Sequence, residues 1–231
     1  MARKINEVEH TTKRNAILDE AYRLILDKGF EQMTIQDITD ALHISRGAFF
    51  HYFHSKHSLL EALLDRLLDK IEQEVTSVLL HHSPVVDKLQ AFFGTIMELK
   101  TRENRMLLKL LQTWYSDGNA LVRHKFRTAK LQRFTPILQD IIRESRPERW
   151  PRGANEHIGE VALSVALDLS DAFARSLLAS GPDTPSTLES IVSAYTEAIE
   201  RILDLPDSSF SSMNQAFLER WMAIKPEVTD E

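Results

Sequence analysis

The chain has 231 residues, 43% of them hydrophobic and 27% charged, with a formal net charge of −6 and no cysteine. Those proportions are ordinary for a globular protein and exclude wholesale disorder, a collagen-like repeat and a disulfide scaffold. Without thiols there is no zinc–thiolate site, iron–sulfur cluster or cysteine nucleophile.

The opening MARKINEVEHTTKR is charged where a secretory segment would be apolar. No stretch approaches the roughly 20 apolar residues that cross a bilayer, so a cytoplasmic location is expected. Apolar residues then recur at helical spacing along nearly the whole chain, which predicts an all-α protein. The first helix is expected from about Thr11 to Lys28, with Ile17, Ala21, Leu24 and Ile25 on one face and Gly29 as its stop. Thr34 caps a second, with Asp37 complementing the positive helix end and Ile35, Ile38 and Leu42 forming the apolar stripe. Ser45 caps a third over Arg46 to Phe50, and Ser55 a long fourth whose leucine-rich face runs to the break at His81-His82-Ser83-Pro84. Further helices are predicted at about Val85–Lys100, Arg102–Tyr115, Asn119–Ser145, Asn155–Ser180 and Ser186–Leu205, with a last one over Ser209 to Met222 and an acidic tail after it. The breakers are Asp117-Gly118, the segment Arg146 to Gly153, and Gly181 to Pro185, while Pro136 is expected to kink or split its helix.

The seven glycines are scattered, so neither a P-loop nor a dinucleotide fingerprint can be written, and G-x-S-x-G and H-E-x-x-H are absent as well. No nucleophile, base and orienting group stand at a recognisable spacing, so neither enzyme activity nor a cofactor is expected.

Two short helices joined by a tight turn, Thr34–Leu42 and Ser45–Phe50, make the helix-turn-helix pattern, in which the second helix enters the DNA major groove. Ile35, Ile38, Leu42, Ile44 and Phe49 would knit the pair into one small core, so that the second helix is presented rigidly. Around the pair stand an apolar helix ending in Lys28-Gly29-Phe30, then Thr34-Ile35-Gln36-Asp37-Ile38, Ala41, the run Ile44 to Phe53, and Ser55-Lys56 ahead of Leu59-Leu60. In this order and spacing, Lys13 to Leu64 resembles the DNA-binding domain of the tetracycline-repressor (TetR-like) family.

The resemblance implies an amino-terminal three-helix DNA-binding domain, residues 1–60, joined by the long helix to a helical effector-binding and dimerisation domain, residues 61–231. It places Arg46, Gly47 and Ala48 against base edges, where Arg46 can offer a bidentate pair to guanine and Ala48 a methyl contact to thymine. Thr34, Tyr52 and Lys56 fall where the family grips phosphates. Ser45, Phe50 and His51 complete the expected contacts, while Phe49 and Phe53 suit the core. Three positions depart from the family pattern. His43 stands in the turn where glycine is usual and positive φ is needed, Phe50 lacks the hydroxyl of the usual tyrosine, and Thr39 replaces a small apolar residue.

Global acidity does not oppose this reading. Residues 1–60 hold eight Lys or Arg against eight acids, and from Leu42 to Leu60 there is Arg46, Lys56 and no acid, with His43, His51, His54 and His57 added. No carboxylate or thiolate accompanies these histidines, so no metal is expected. Their protonation near the ordinary pKa of about 6.5 would tighten DNA binding in mild acid.

The two helices 155–180 and 186–205 form a hairpin. Val161, Val165, Leu169 and Phe173 are expected to face the core, with Ala162, Ala166, Ser170 and Ala174 as a small-residue stripe. Together with Ile191, Tyr195, Ala198 and Ile202 that stripe is expected at the interface of a homodimer, a four-helix bundle. The resemblance also implies a small-molecule pocket, for which Phe92, Phe93, Met97, Met106, Trp114, Tyr115, Phe126, Phe134 and Phe173 are candidates, although each also suits an ordinary core. Their chemistry favours an apolar or aromatic effector.

The expected function is thus a homodimeric repressor released from a palindromic operator by a small molecule that acts through the long helix. The alternative is a DNA-binding dimer without such an effector, controlled by a protein partner or by abundance.

Overall fold

The computed structural model describes residues 2–80, 84–102, 106, 109–111, 114–145, 156–179 and 184–223. Every regular element among them is helical: α1 (Ala2–Gln32), α2 (Ile35–Ala41), α3 (Arg46–Tyr52), α4 (Lys56–Leu79), α5 (Val85–Arg102), a 3-10 turn at Asp117–Asn119, α6 (Ala120–Ser145), α7 (Ile158–Leu178), α8 (Thr184–Ile202) and α9 (Ser211–Ala223). The predicted breaks at His81 to Ser83, Arg146 to Gly153 and Gly181 to Asp183, the tail from Lys225, and much of the predicted helix Arg102–Tyr115 lie outside the described residues.

Two boundaries differ from the sequence expectation. The first helix begins at Ala2 rather than Thr11, because the charged opening is rich in helix formers and Glu9 pairs with Lys13 one turn on at 2.7 Å. Gly29 does break the helix, at φ 80 and ψ 164, before Phe30 to Gln32 resume it. The second difference is Pro136, which sits inside α6 without splitting it.

The chain divides into two compact units. One comprises Met1–Asp69 with Glu103–Phe126, the other Lys70–Arg102 with Arg127–Glu231. In the first, Ile17, Leu18, Ala21 and Ile25 of α1, Ile38 of α2, Phe49 of α3 and Leu59 and Leu60 of α4 are at most 1% exposed and form one core. Truncating a side chain such as Phe49 would remove about 3–5 kcal/mol. Met106, Leu110 and Val122 belong to the same cluster, with Trp114 and Phe126 packed against it. Arg66 of α4 pairs with Asp19 of α1 at 2.5 Å, and Lys125 of α6 with Glu61 of α4 at 2.7 Å.

In the second unit α7 and α8 pack as the predicted hairpin, and α9 lies on α5 and α8. Leu169 and Phe173 are buried as expected, but Val161 is 48% exposed and Val165 half-buried. Leu163 and Leu167 take the core positions instead, because the buried face of α7 runs from Gly159 and Ala162 through Leu163 and Leu167. Gly159 allows a close approach to α6. A Cβ there would stand 2.8 Å from Gln139 Oε1, the atom that accepts the Gly159 N–H at 3.0 Å. The turn after α8 is held by Glu200, 4% exposed, whose carboxylate accepts the N–H groups of Phe210 at 2.7 Å and Ser208 at 3.1 Å.

Candidate nucleic-acid interface

The local sequence explains why α2 and α3 form a rigid pair. Thr34 caps α2 in a reciprocal box: its Oγ1 accepts the Asp37 N–H at 3.1 Å, and Asp37 Oδ2 accepts the Thr34 N–H at 2.7 Å. Lys28 at 2.6 Å, with the Thr34 hydroxyl and N–H, holds the Asp37 pKa down to about 2. The turn then reverses through His43 at φ 52, the left-handed conformation expected there, with Ile44 N–H donating to Thr39 O at 3.0 Å. Thr39 is 2% exposed and satisfies its hydroxyl on Gln36 O at 3.0 Å, so this departure from a small apolar residue costs no hydrogen bond. Ser45 Oγ accepts the Ala48 N–H at 3.1 Å and starts α3.

The result is a seven-residue helix with a buried side and an exposed one. Phe49 anchors it, and Phe53 follows at 3% exposure, both as expected. Ser45, Arg46, Gly47, Phe50 and His51 are exposed, and Ala48 and Tyr52 half-buried. Arg46 has no carboxylate partner among the described residues. A Cβ on Gly47 would meet nothing nearer than Ser45 Oγ at 3.7 Å. Packing within the chain therefore gives no reason for glycine at this exposed helical position, where alanine would be better tolerated.

Lys56 opens α4, and Ser55 caps that helix by accepting the Ser58 N–H at 3.0 Å. The Lys56 ammonium donates to Glu31 O at 2.9 Å and lies 4.4 Å from the centre of the Phe30 ring. Partial burial pushes its pKa below the ordinary value. It braces the end of α1 with one proton and keeps two more for an anion.

The histidines of this region point to different neighbours. His57 lies edge-on to Phe30 at 6.3 Å, while His51 meets His10 of α1 at 5.6 Å. His10 also approaches Tyr52 at 4.7 Å, and Arg14 stands 5.2 Å from the centre of the Phe53 ring. Neither His10 nor Arg14 is among the residues expected from sequence. No spacing rule links His10 to a residue 41 positions away, and only the packing of α1 across α3 brings them together.

Residues 17–63 match the family profile described as "Bacterial regulatory proteins, tetR family". Residues 17–63 are a TetR-like DNA-binding domain. Curated relatives agree. The TetR-like chain is 26% identical over 223 residues to the HTH-type transcriptional repressor AcnR of Corynebacterium diphtheriae, covering 90% of this chain and 96% of AcnR. It is 28% identical over 89 residues to the transcriptional repressor DhaR of Mycobacterium sp. (strain GP1), covering 38% of this chain and 45% of DhaR. Among solved structures, the fatty acid degradation regulator FadR from Bacillus halodurans shares the fold with a TM-score of 0.54 at 14% identity, over 89% of this chain and 94% of that one. The profile coincides with the capped pair and its supporting helices, so the DNA-binding part of the TetR-like chain is the unit whose geometry is described above.

The remaining expected residues of the TetR-like chain fall into separate groups. Met106, Trp114 and Phe126 pack in the core of the DNA-binding unit, and Arg123 secures the carbonyls of Trp114 and Ser116 beside Tyr115. Phe92, Phe93 and Phe134 form a chain of edge-to-face rings with Phe210 in the second unit. Met97 and Phe173 lie in another cluster of that unit, where Phe173 is 5.3 Å from both Phe217 and Trp221. Phe217 and Trp221 were not expected in this group, because they lie on α9, far along the sequence.

Of the expected interface residues, Ala162 is fully buried within the chain, and Ala166, Ser170, Ala174, Ile191, Tyr195, Ala198 and Ile202 are half-buried. No helix among the described residues is long and apolar enough to cross a membrane.

Proposed function

We propose that the chain is a homodimeric repressor that binds a palindromic operator in the cytoplasm and releases it when an apolar or aromatic small molecule binds. The coarser reading, a DNA-binding transcriptional regulator rather than an enzyme, rests on the family match. The observation that carries the DNA-binding surface is α3 itself: a capped helix whose exposed side offers an unpaired Arg46 and a glycine with open space above it, on a stretch without acids. Arg46 specifies bases and the hydroxyl and ammonium groups of Thr34, Tyr52 and Lys56 set position on the backbone.

For the dimer, support comes from apolar surface on the hairpin: Val161 at 48% and Leu178 at 41% exposure, beside half-buried Val165, Ile191 and Tyr195. Two copies related by a twofold axis would present two copies of α3 to two half-sites. Selection of duplexes from a randomised pool by the purified chain tests binding and symmetry together. A palindromic consensus is expected, with Arg46→Ala losing discrimination at one position by about 1–3 kcal/mol. Retention of the full preference by that variant would refute the assignment.

One observation favours the alternative of a DNA-binding dimer with no small-molecule effector: the nine candidate lining residues are divided among separate packed groups. A thermal-shift screen of hydrophobic compounds separates the two, since only the ligand-released repressor is stabilised by a compound that also frees DNA.

A further inference from the structure

We propose that the face of α1 carrying His10, with Lys13 and Arg14 beside it, is a second DNA contact that grips backbone phosphates next to those held by α3. The proposal rests on the reading of α3 as the DNA-binding helix.

The starting observation is the meeting of α1 with the end of α3. The His10 ring is 4.7 Å from Tyr52 and 5.6 Å from His51, so two imidazoles and a phenol occupy one patch. His10 and His51 are exposed, Tyr52 is half-buried, and none of the three has a hydrogen-bond partner among the described residues. Arg14 is held over the Phe53 ring at 5.2 Å rather than by a carboxylate, which leaves its guanidinium protons available. The titratable and charged groups beside His10 are Glu9, Lys13 and Arg14 on its own helix and His51 and Tyr52 of α3. Glu9 is the carboxylate among these, and Lys13 neutralises it at 2.7 Å.

The helix itself points the same way. Among the residues of α1 whose exposure is described, 8–13 are all exposed, Val8 at 65%, and Ile17 is the first buried. A helical stretch with six consecutive exposed residues is marginal in isolation. Its chemistry selects the occupant. Imidazole, phenol and guanidinium donors suit phosphate oxygens, whereas a protein partner would need a larger hydrophobic anchor. The contact supplies register and affinity and carries no base information.

The experiment uses the full chain and a 40-base-pair duplex that the wild-type chain has selected from a randomised pool. Affinity is measured at pH 6.0 and 7.5 across a potassium chloride series for wild type, His10→Ala, His10→Lys and Arg46→Ala, with circular-dichroism melts as the check on folding. At pH 6.0, His10→Ala is expected to bind about 10- to 100-fold more weakly, the worth of one charge-assisted hydrogen bond in each protomer of the dimer. Its log K against log salt slope should be shallower by about 1.8, one phosphate fewer in each half-site, with the preferred sequence unchanged. His10→Lys, charged at both values, should bind tightly at both. If His10→Ala matches wild type in affinity and slope at pH 6.0 while Arg46→Ala loses preference, the α1 contact is wrong and the α3 reading stands. If wild type enriches no duplex, both fall.

Discussion

Gly47 separates the stability of the fold from its use. Its backbone is helical, and an added Cβ would make only an ordinary contact with Ser45 Oγ at 3.7 Å, without disturbing the Ser45 cap on Ala48. Gly47→Ala should therefore stabilise the chain, by about 0.5–1 kcal/mol from the lost backbone entropy of glycine in the unfolded state. In the proposed DNA complex the same methyl, on the exposed side of α3, would stand where the base edges come closest. DNA affinity should fall by about 1–3 kcal/mol, roughly 5- to 150-fold. Urea denaturation gives the first quantity, from a raised midpoint at unchanged slope. Titration of a labelled operator duplex at fixed salt gives the second. A variant that is more stable and binds as tightly as wild type would show that Gly47 does not face DNA, and the orientation assigned to α3 would be wrong. A fall in stability would mean instead that the space above Gly47 is occupied.

Gly159→Ala should cost about 1–3 kcal/mol in a urea melt, because its Cβ meets both Gln139 Oε1 at 2.8 Å and the Gln139 backbone N at 3.3 Å, and the backbone cannot swing aside. Glu200→Ala should destabilise the fold by about 2–4 kcal/mol in a urea melt, since it strands the buried N–H of Phe210 and the partly buried N–H of Ser208; a neutral result would mean that water replaces the carboxylate. Asp37 has its pKa lowered from 3.8 to about 2, so its ionised form stabilises the fold above pH 3.8 and that contribution is lost as pH falls toward 2. In thermal melts across this range the deficit of Asp37→Asn should shrink toward the acid end, and a constant deficit would contradict the capping role.

The local parts of this architecture were legible in the sequence. Thr34, Ser45 and Ser55 cap the helices expected of them, Gly29 interrupts α1, and His43 takes the positive φ anticipated for the turn. Each of these depends on groups within a few residues, where side-chain chemistry and backbone conformation are directly coupled. What depends on distant partners was not legible. Val161 continues the apolar period of its helix yet faces outward, because Leu163 and Leu167 meet the neighbouring helices. Trp114 and Phe126 read as aromatics of a central zone, yet they pack on the core beneath the DNA-binding helices. His10 lay outside the expected site because helical register states which residues share a face of α1 but not which helix crosses it.

The membership of Met106, Leu110 and Val122 in the core of the first unit also bears on how the chain is made. A ribosome releases residues 1–69 well before it has synthesised residues 103–126, which complete that unit. At about 5–20 residues per second the nascent headpiece waits several seconds with an open apolar flank. Cutting the gene after α4 would make that wait permanent, so an isolated headpiece should be sticky and poorly folded, and the ability to hold an operator should arrive only late in translation.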